Sequence, residues 1–202
     1  MSEAEVKPGR RSIGAQRNPA SEEAILKAAE AVLLENGLSG FSIEAVARRA
    51  RAGKPTIYRW WPSKAALLLD VYHNHKQTHF SYADKGNVRD DLIAYLSGLF
   101  TVWRNPATGA LFRSVVAEAQ ADPDTAAALA AYMADRRCQS SEIVKKAQAR
   151  GEVRADADPE IVTELLASFA WSRLLTDRLN VNDGDIVAAV DMVLAGIAVR
   201  AA

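Results

Sequence analysis

The chain has 202 residues, 49% of them hydrophobic and 25% charged, and its 25 basic residues balance its 25 acidic residues. This composition is typical of a globular protein with an ordinary core. Its apolar runs are too short to span a membrane, and its polar start lacks the apolar stretch of a secretory signal. The single cysteine, Cys138, excludes an intramolecular disulfide and fits a reducing compartment. We therefore expect a cytoplasmic protein.

The charge is unevenly distributed along the chain. Residues 1–64 contain 11 Lys or Arg against 7 Asp or Glu, whereas residues 65–202 contain 14 against 18. Between Ser42 and Lys64 there are six basic residues and one acidic residue. A basic N-terminal module on an acidic body is typical of a domain that binds a polyanion. Because small imbalances also arise by chance, the interpretation depends on the residue pattern.

The first elements in chain order are a polar arm and a helix. Residues 1–20 are polar and interrupted by proline and glycine, which predicts a flexible basic arm. Ser21 then begins a helix, with Glu22 and Glu23 near the positive end of its dipole. Asn36-Gly37 ends that helix.

Three further helix signals follow closely. Ser42 can cap a second helix, and Lys54–Trp61 is a third, very short helix that Pro62 ends. Ser63 then caps a long fourth helix. Short helices joined by a tight turn are typical of a helix-turn-helix unit, which we place at residues 21–66.

The remaining sequence, residues 67–202, shows helical periodicity and no alternating strand pattern. Proline, glycine or Asn-Asp breakers separate five further candidate helices. The predicted fold class is all-α, with about nine helices. The five candidates are Val88–Arg104, Thr108–Ala121, Pro123–Arg150, Pro159–Leu179 and Asp183–Val199.

The third helix has two distinct faces. At about 100° per residue, Ile57 and Trp61 share one face, which we expect to pack on the preceding helices. The opposite face presents Pro55, Thr56 and Arg59. In a DNA major groove such a face meets base edges, and an arginine can form two hydrogen bonds with guanine that contribute roughly 1–3 kcal/mol of discrimination.

The flanks of this helix suit the phosphate backbone. Tyr58 and Trp60 lie on the two flanks and carry O–H and N–H donors, while Lys64 lies in the first turn of the next helix. An aromatic residue at helical spacing is more often core, and a basic helix face is more often only solvated. Here the basic face follows a tight turn and precedes a proline stop and a capped helix, a combination that favours DNA binding.

The DNA-binding region of TetR-family transcriptional regulators closely resembles the stretch FSIEAVARRARAGKPTIYRWWPSKAALLLDVY. The resemblance is strong over residues 21–72, and its most specific part is TIYRWWPSK, residues 56–64. It implies that Lys54, Pro55, Thr56 and Arg59 approach bases. It also implies that Ser42, Tyr58, Trp60 and Lys64 hold phosphates of double-stranded DNA.

The turn before the third helix departs from the family pattern. It carries Arg51 where glycine is usual, with Gly53 two residues later. An arginine in a left-handed conformation costs about 1 kcal/mol relative to glycine. Two alternatives stay open here: the strain is tolerated, or the turn is rebuilt around Gly53.

A regulator that reads DNA with one short helix needs two copies, so we expect a homodimer on a near-palindromic operator. The last two predicted helices carry apolar stripes, which are candidates for the contact between copies, and the resemblance implies a four-helix interface there. The alternative is that both stripes belong to the core of one chain. The candidate interface residues are Leu165, Phe169, Ile186, Val190, Val193 and Ile197.

The resemblance also assigns residues 67–202 to ligand binding and dimerisation. Its middle helices would hold a small-molecule effector, and their apolar composition favours a hydrophobic one. The alternative is that these aromatic residues, which recur at helical spacing, simply belong to the hydrophobic core. Ligand binding would shift the spacing of the DNA-binding units. The candidate pocket residues are Tyr72, Leu99, Trp103, Phe112, Val116 and Phe169.

The other functional classes find little support in the sequence. His75 and His79 have the spacing of metal ligands, but no Cys or clear carboxylate partner accompanies them. We therefore interpret His73, His75 and His79 as surface residues and expect neither a metal nor a cofactor. No nucleophile elbow or glycine-rich phosphate loop indicates an enzyme. We therefore expect a repressor released by a small molecule. The alternative is a helical interaction protein whose basic patch binds an acidic partner.

Overall fold

The computed structural model describes residues 19–79 and 84–197, with the backbone alone for residues 75–79. These residues form nine α-helices and no strand, so the all-α prediction is confirmed. The predicted basic arm, residues 1–20, lies almost entirely outside the described residues. The helices are α1 Pro19–Asn36, α2 Ile43–Ala50, α3 Lys54–Trp60, α4 Lys64–His79, α5 Val88–Arg104, α6 Pro106–Glu118, α7 Pro123–Ala149, α8 Pro159–Leu175 and α9 Asp183–Ile197.

Local hydrogen bonds fix the ends of the N-terminal helices, as the sequence predicts. Gly37 ends α1 in a left-handed conformation, with φ of 64°. The Ser42 hydroxyl caps α2 by accepting a hydrogen bond from the Ala45 N–H at 3.2 Å. Ser63 caps α4 in the same way, 3.1 Å from the Ala66 N–H. These caps satisfy backbone donors that the first turn of a helix leaves unpaired.

Four predicted helix boundaries are wrong by two to four residues. Helix α1 begins at Pro19 rather than at Ser21, and α6 ends at Glu118 rather than at Ala121. Helix α6 begins at Pro106 rather than at Thr108, because the Asn105 side chain accepts from the first free N–H groups and proline suits the first helical position. Helix α8 ends at Leu175 rather than at Leu179. There Asp177 takes a left-handed φ of 56°, and the Arg178 N–H returns to the Arg173 carbonyl at 2.8 Å. This backbone arrangement closes a helix.

The core is continuous from the N-terminal helices into the rest of the chain. Helix α2 packs on α1 and α3, and α1 also packs on α4. Helix α4 continues across the predicted domain boundary at residues 66 and 67 and packs on α6 and α7. Helix α5 lies among α6, α8 and α9. One helix therefore joins the DNA-binding candidate to the C-terminal bundle.

A glycine allows α6 to approach the end of α5 closely. A Cβ atom at Gly109 would lie 2.3 Å from the carbonyl oxygen of Trp103. No side chain can occupy that space without movement of the backbone, so glycine fixes the close turn between the two helices.

Within the described residues, no helix combines the length and the hydropathy that crossing a lipid bilayer requires.

Candidate nucleic-acid interface and adjoining cavity

Helix α3 is anchored through the face that the sequence predicts. Ile57 is 0% exposed and Trp61 is 1% exposed. The indole Nε1 of Trp61 donates a hydrogen bond to Oδ2 of Asp70 at 2.6 Å, which ties the end of α3 to α4. The Trp61 side chain is thus held both by packing in the core and by a hydrogen bond to the Asp70 carboxylate. These two interactions together constrain the orientation of α3.

The opposite face of α3 is open to solvent. Pro55 and Arg59 are exposed and Thr56 is partly exposed, so the predicted base-reading face is accessible. Lys54 is also exposed, and its Nζ lies 2.8 Å from Oε1 of Glu44. The hydrogen bond between them raises the pKa of the Lys54 ammonium and lowers the pKa of the Glu44 carboxyl. Within the described part of the chain, Arg59 takes part in no ion pair.

The predicted phosphate-contacting residues differ in their surroundings. Tyr58 is 48% exposed, whereas Trp60 is partly buried and packs edge-on against Trp61, with ring centroids 5.8 Å apart. The guanidinium carbon of Arg59 lies 5.8 Å from the centre of the Trp60 ring. Trp60 therefore lies beside the outer face of α3, where its ring contacts the Arg59 guanidinium. Ser42 lies at the N-terminus of α2, where its hydroxyl serves as the cap.

Lys64 links the candidate interface to the C-terminal bundle. It lies in the first turn of α4, and its Nζ is 3.9 Å from Oε2 of Glu118, in the last turn of α6. Both side chains are partly buried. This ion pair connects a predicted phosphate contact to a helix of the bundle.

A small cavity of about 30 Å³ lies among α4, α5, α6, α7 and α8. Four of the six predicted pocket residues line it: Tyr72, Leu99, Trp103 and Phe112. Val116 and Phe169 do not. Val116 is buried elsewhere in the core, and Phe169 packs edge-on against Phe100 at 6.2 Å.

Aromatic rings form most of the cavity wall. Phe112 stacks on Tyr72 at 4.7 Å and on Trp103 at 5.7 Å, and Trp171 meets it edge-on at 5.4 Å. The Trp103 indole N–H donates to the Tyr72 hydroxyl at 2.8 Å. The buried polar ends of Trp103 and Tyr72 therefore satisfy each other.

The interpretation of His73 as a surface residue is wrong. His73 is partly buried, and its Nδ1 lies 3.0 Å from Nη1 of Arg136 on α7. The side chains of His75 and His79 lie outside the described residues. His73 therefore belongs to the contact between α4 and α7, beside the cavity.

Family models match two consecutive parts of the sequence. A model described as "Bacterial regulatory proteins, tetR family" matches residues 25–71, and one described as "Tetracyclin repressor-like, C-terminal domain" matches residues 82–193. The chain belongs to the TetR family of transcriptional regulators. Its helix-turn-helix unit is thus the DNA-binding part of a transcriptional regulator, as the sequence predicts.

TetR-family proteins that resemble this chain include sequence relatives and a solved structure. The uncharacterized HTH-type transcriptional regulator YdeS of Bacillus subtilis is 28% identical over 171 residues, 84% of this chain and 86% of the relative. The DNA-binding transcriptional repressor TetR of Mycobacteroides abscessus is 28% identical over 75% of this chain and 80% of its own. The crystal structure of the TetR family transcription regulator SCO0332 has a TM-score of 0.76 and 32% identity, and the match covers 87% of this chain and 97% of that one.

In this TetR-family chain, Arg51 adopts the left-handed conformation itself. Its φ is 52° and its ψ is 37°, and its N–H reaches the Ala47 and Arg48 carbonyls at the end of α2. Gly53, by contrast, has an ordinary extended φ of −72°. Of the two alternatives, the strain is tolerated and the turn keeps its geometry.

We expect Arg51→Gly to stabilise the protein by about 0.5–1 kcal/mol. Glycine removes a left-handed penalty of roughly 1–2 kcal/mol, although its larger entropy in the unfolded chain offsets part of that gain. Urea denaturation measures the change in the free energy of unfolding. Arg51→Ala is the matched control, since it removes the charged side chain but keeps the Cβ that makes the left-handed conformation unfavourable. Equal stability of the two variants would show that backbone strain is not the cause.

Two polar residues near these sites were not identified from the sequence. Asp70 orients Trp61 from nine positions along the chain, and Arg136 meets His73 from 63 positions away. The sequence gives only a weak indication that Asp70, an aspartate of α4, would accept a hydrogen bond from Trp61. It gives no indication of the Arg136 contact, because that contact depends on how α7 packs against α4.

Proposed function

We propose that the protein is a transcriptional repressor in the cytoplasm that binds a near-palindromic operator and leaves it when a small-molecule effector binds. The observation that supports this most is the exposed outer face of α3, where Arg59 lies opposite the buried Ile57 and Trp61. Lys54 and Arg59 of this helix are both exposed, and Lys54 pairs with Glu44 of α2. Base reading by Lys54, Pro55, Thr56 and Arg59 fits this arrangement.

The homodimer would form through α8 and α9. Helix α8 exposes a line of apolar side chains, with Ile161 and Leu165 each 57% exposed, and α9 exposes Met192 at 77%. Large apolar side chains in an exposed row are typical of an interface. By contrast, Ile186 and Val190 are 2% and 0% exposed inside this chain. We therefore correct the predicted interface by removing these two residues.

The remaining interface residues are consistent with such a contact. Phe169, Val193 and Ile197 are partly buried within one chain and keep surface for a second copy. The Arg173 guanidinium lies 3.4 Å from the Phe169 ring centre and covers that side chain. A two-fold contact through α8 and α9 would place two α3 helices on adjacent half-sites.

Effector control would act through α4. This helix carries Tyr72 at the cavity and Lys64 at the DNA-binding unit, so a change in the packing around Tyr72 alters the position of Lys64. A ligand shifts this equilibrium only through its preference for one of the two arrangements. Regulation of this kind requires no catalysis, and we do not assign an enzymatic activity.

Footprinting with purified protein on the DNA upstream of its own gene tests the proposal. A short protected site with two-fold symmetry is expected, and protection should decrease at higher salt concentration. The alternative, an acidic protein partner for the basic patch, predicts no protected site on any DNA. Absence of protection at low salt would thus reject the repressor proposal.

A further inference from the structure

One positively charged side chain lies in the wall of the aromatic cavity. Arg136, on α7, is the one charged residue among the described residues that line the cavity. Its side chain is only 15% exposed, and its guanidinium carbon lies 5.3 Å from the centre of the Tyr132 ring. A largely buried guanidinium in an apolar cavity wall is unfavourable unless all its donors find acceptors, because burial of charge is costly.

The hydrogen bonds of Arg136 are incomplete. Nη1 lies 3.0 Å from His73 Nδ1, and Nη2 donates to Oδ2 of Asp135. Its Nε is buried and has no hydrogen-bond partner in the part of the chain that the structure describes. A buried donor without an acceptor is unfavourable, so a ligand oxygen placed there would gain binding energy.

The carboxylate that pairs with Arg136 lies on the solvent side. Asp135 is 59% exposed, and none of the cavity-lining residues among those described is acidic. A ligand carboxylate could therefore take the Nε and Nη2 donors as a bidentate pair, while Asp135 turns into water. Arginine is suited to that planar geometry.

The rest of the cavity wall suits a flat ring. The planes of Tyr72 and Phe112 are 21° apart, and those of Trp103 and Phe112 are 16° apart. Tyr72 and Trp103 thus each lie nearly parallel to Phe112, Trp171 meets Phe112 edge-on, and all four residues line the cavity. Aromatic ligands pack well against such surfaces.

The cavity is too small for a ring-sized ligand in this arrangement. Its volume of about 30 Å³ suffices for one or two water molecules and not for an aromatic ring. A ring-sized ligand must therefore separate the lining helices, including α4 at Tyr72. Such a ligand has very different affinities for the closed and the opened arrangement, which is the condition for a conformational response.

We propose that the effector is a planar aromatic carboxylate, whose ring inserts among Tyr72, Phe112 and Trp171 and whose carboxylate binds Nε and Nη2 of Arg136. The inference rests on the proposed function, since it names the class of molecule that would act at the regulatory cavity. Its direct test is binding of such a molecule, which does not require the operator.

Calorimetric titration of the full chain with 2-naphthoate tests this assignment. The uncharged amide, 2-naphthamide, keeps the ring system and one acceptor oxygen. We expect the wild type to bind 2-naphthoate at least about tenfold more tightly than 2-naphthamide, because hydrogen bonds to a charged group are the stronger ones. Arg136→Gln should abolish this preference and leave 2-naphthamide binding within about twofold of the wild type.

Two further variants separate the role of Arg136 from general effects. Arg137→Gln is the matched control: Arg137 is adjacent on α7, lies 3.9 Å from Glu160 and does not line the cavity. It should keep the wild-type preference. Arg136→Lys keeps the charge without the planar pair of donors and should bind 2-naphthoate more weakly than the wild type. Thermal unfolding of each variant shows that it is folded.

Three results would overturn the inference. They are an equal affinity of the wild type for the two probes, an Arg136→Gln variant that retains the preference, and no binding of 2-naphthoate at millimolar concentrations. DNA footprinting distinguishes failure of the effector inference from failure of the proposed repressor function. A protected operator without 2-naphthoate binding rejects only the effector class, whereas absence of any protected DNA rejects the regulator and leaves the titration to decide the ligand site.

Discussion

Replacement of Trp61 by alanine is expected to lower the free energy of unfolding by about 3–5 kcal/mol. The side chain is 1% exposed, and truncation of a buried tryptophan both removes apolar contacts and leaves a cavity. A domain of this size is stable by only about 5–15 kcal/mol in total, so the variant loses a large share of its stability. Because Trp61 also holds the end of α3, DNA binding should weaken further than the unfolded fraction explains. Chemical denaturation followed by circular dichroism measures the first effect.

The neighbouring tryptophan provides the control. Trp60 is only partly buried, so Trp60→Ala should cost clearly less stability than Trp61→Ala. Asp70→Ala leaves Trp61 and its packing in place but removes the acceptor for its N–H, which we expect to cost about 1–3 kcal/mol. If Trp60→Ala proved as destabilising as Trp61→Ala, the assigned orientation of α3 would be wrong.

Loss of the Arg59 side chain is expected to reduce discrimination between the operator and other DNA. If Arg59 forms two hydrogen bonds with a guanine, Arg59→Ala should lose roughly 1–3 kcal/mol of operator binding and relax preference at one base pair. Binding to random DNA should change much less. Titrations of both DNAs at one salt concentration give the two affinities.

Lys64→Ala provides the contrast. As a predicted phosphate contact, it should weaken binding to all sequences alike and lower the salt slope of binding by about one. Arg113→Ala, an arginine of α6 near Asp177, controls for loss of positive charge away from α3 and should leave both affinities unchanged. Equal loss on operator and random DNA for Arg59→Ala would reject its base-reading role.

The helix-turn-helix unit could be predicted from the sequence because its signals are local. Ile57 and Trp61 lie four residues apart and share a buried face, and Ser42, Gly37 and Ser63 mark helix ends through hydrogen bonds within a few residues. The end of α8 escaped prediction, since Asp177 adopts a left-handed conformation that residue types alone rarely indicate.

The dimer interface and the cavity were harder to predict from the sequence, because both depend on contacts between residues that are distant in the chain. Ile186 and Val190 form an apolar stripe, and periodicity identifies such a stripe without identifying what covers it. In the structure the stripe is covered within the same chain. Likewise, the aromatic residues of the middle helices could be recognised as buried, but Arg136 joins them only because α7 crosses α4.

If Lys64 contacts a DNA phosphate as predicted, its ion pair with Glu118 makes that carboxylate a competitor of DNA for the Lys64 ammonium. The Lys64 ammonium, 3.9 Å from Glu118, cannot neutralise that carboxylate and a phosphate equally well. A movement of α6 that withdraws Glu118 would release the ammonium for DNA, and a movement that brings Glu118 nearer would retain it. Because dissolved ions screen exposed charges, the amount by which an effector changes operator affinity should itself depend on ionic strength. If an effector regulates DNA binding as proposed, this partly buried carboxylate would give that response a salt sensitivity separate from that of DNA binding.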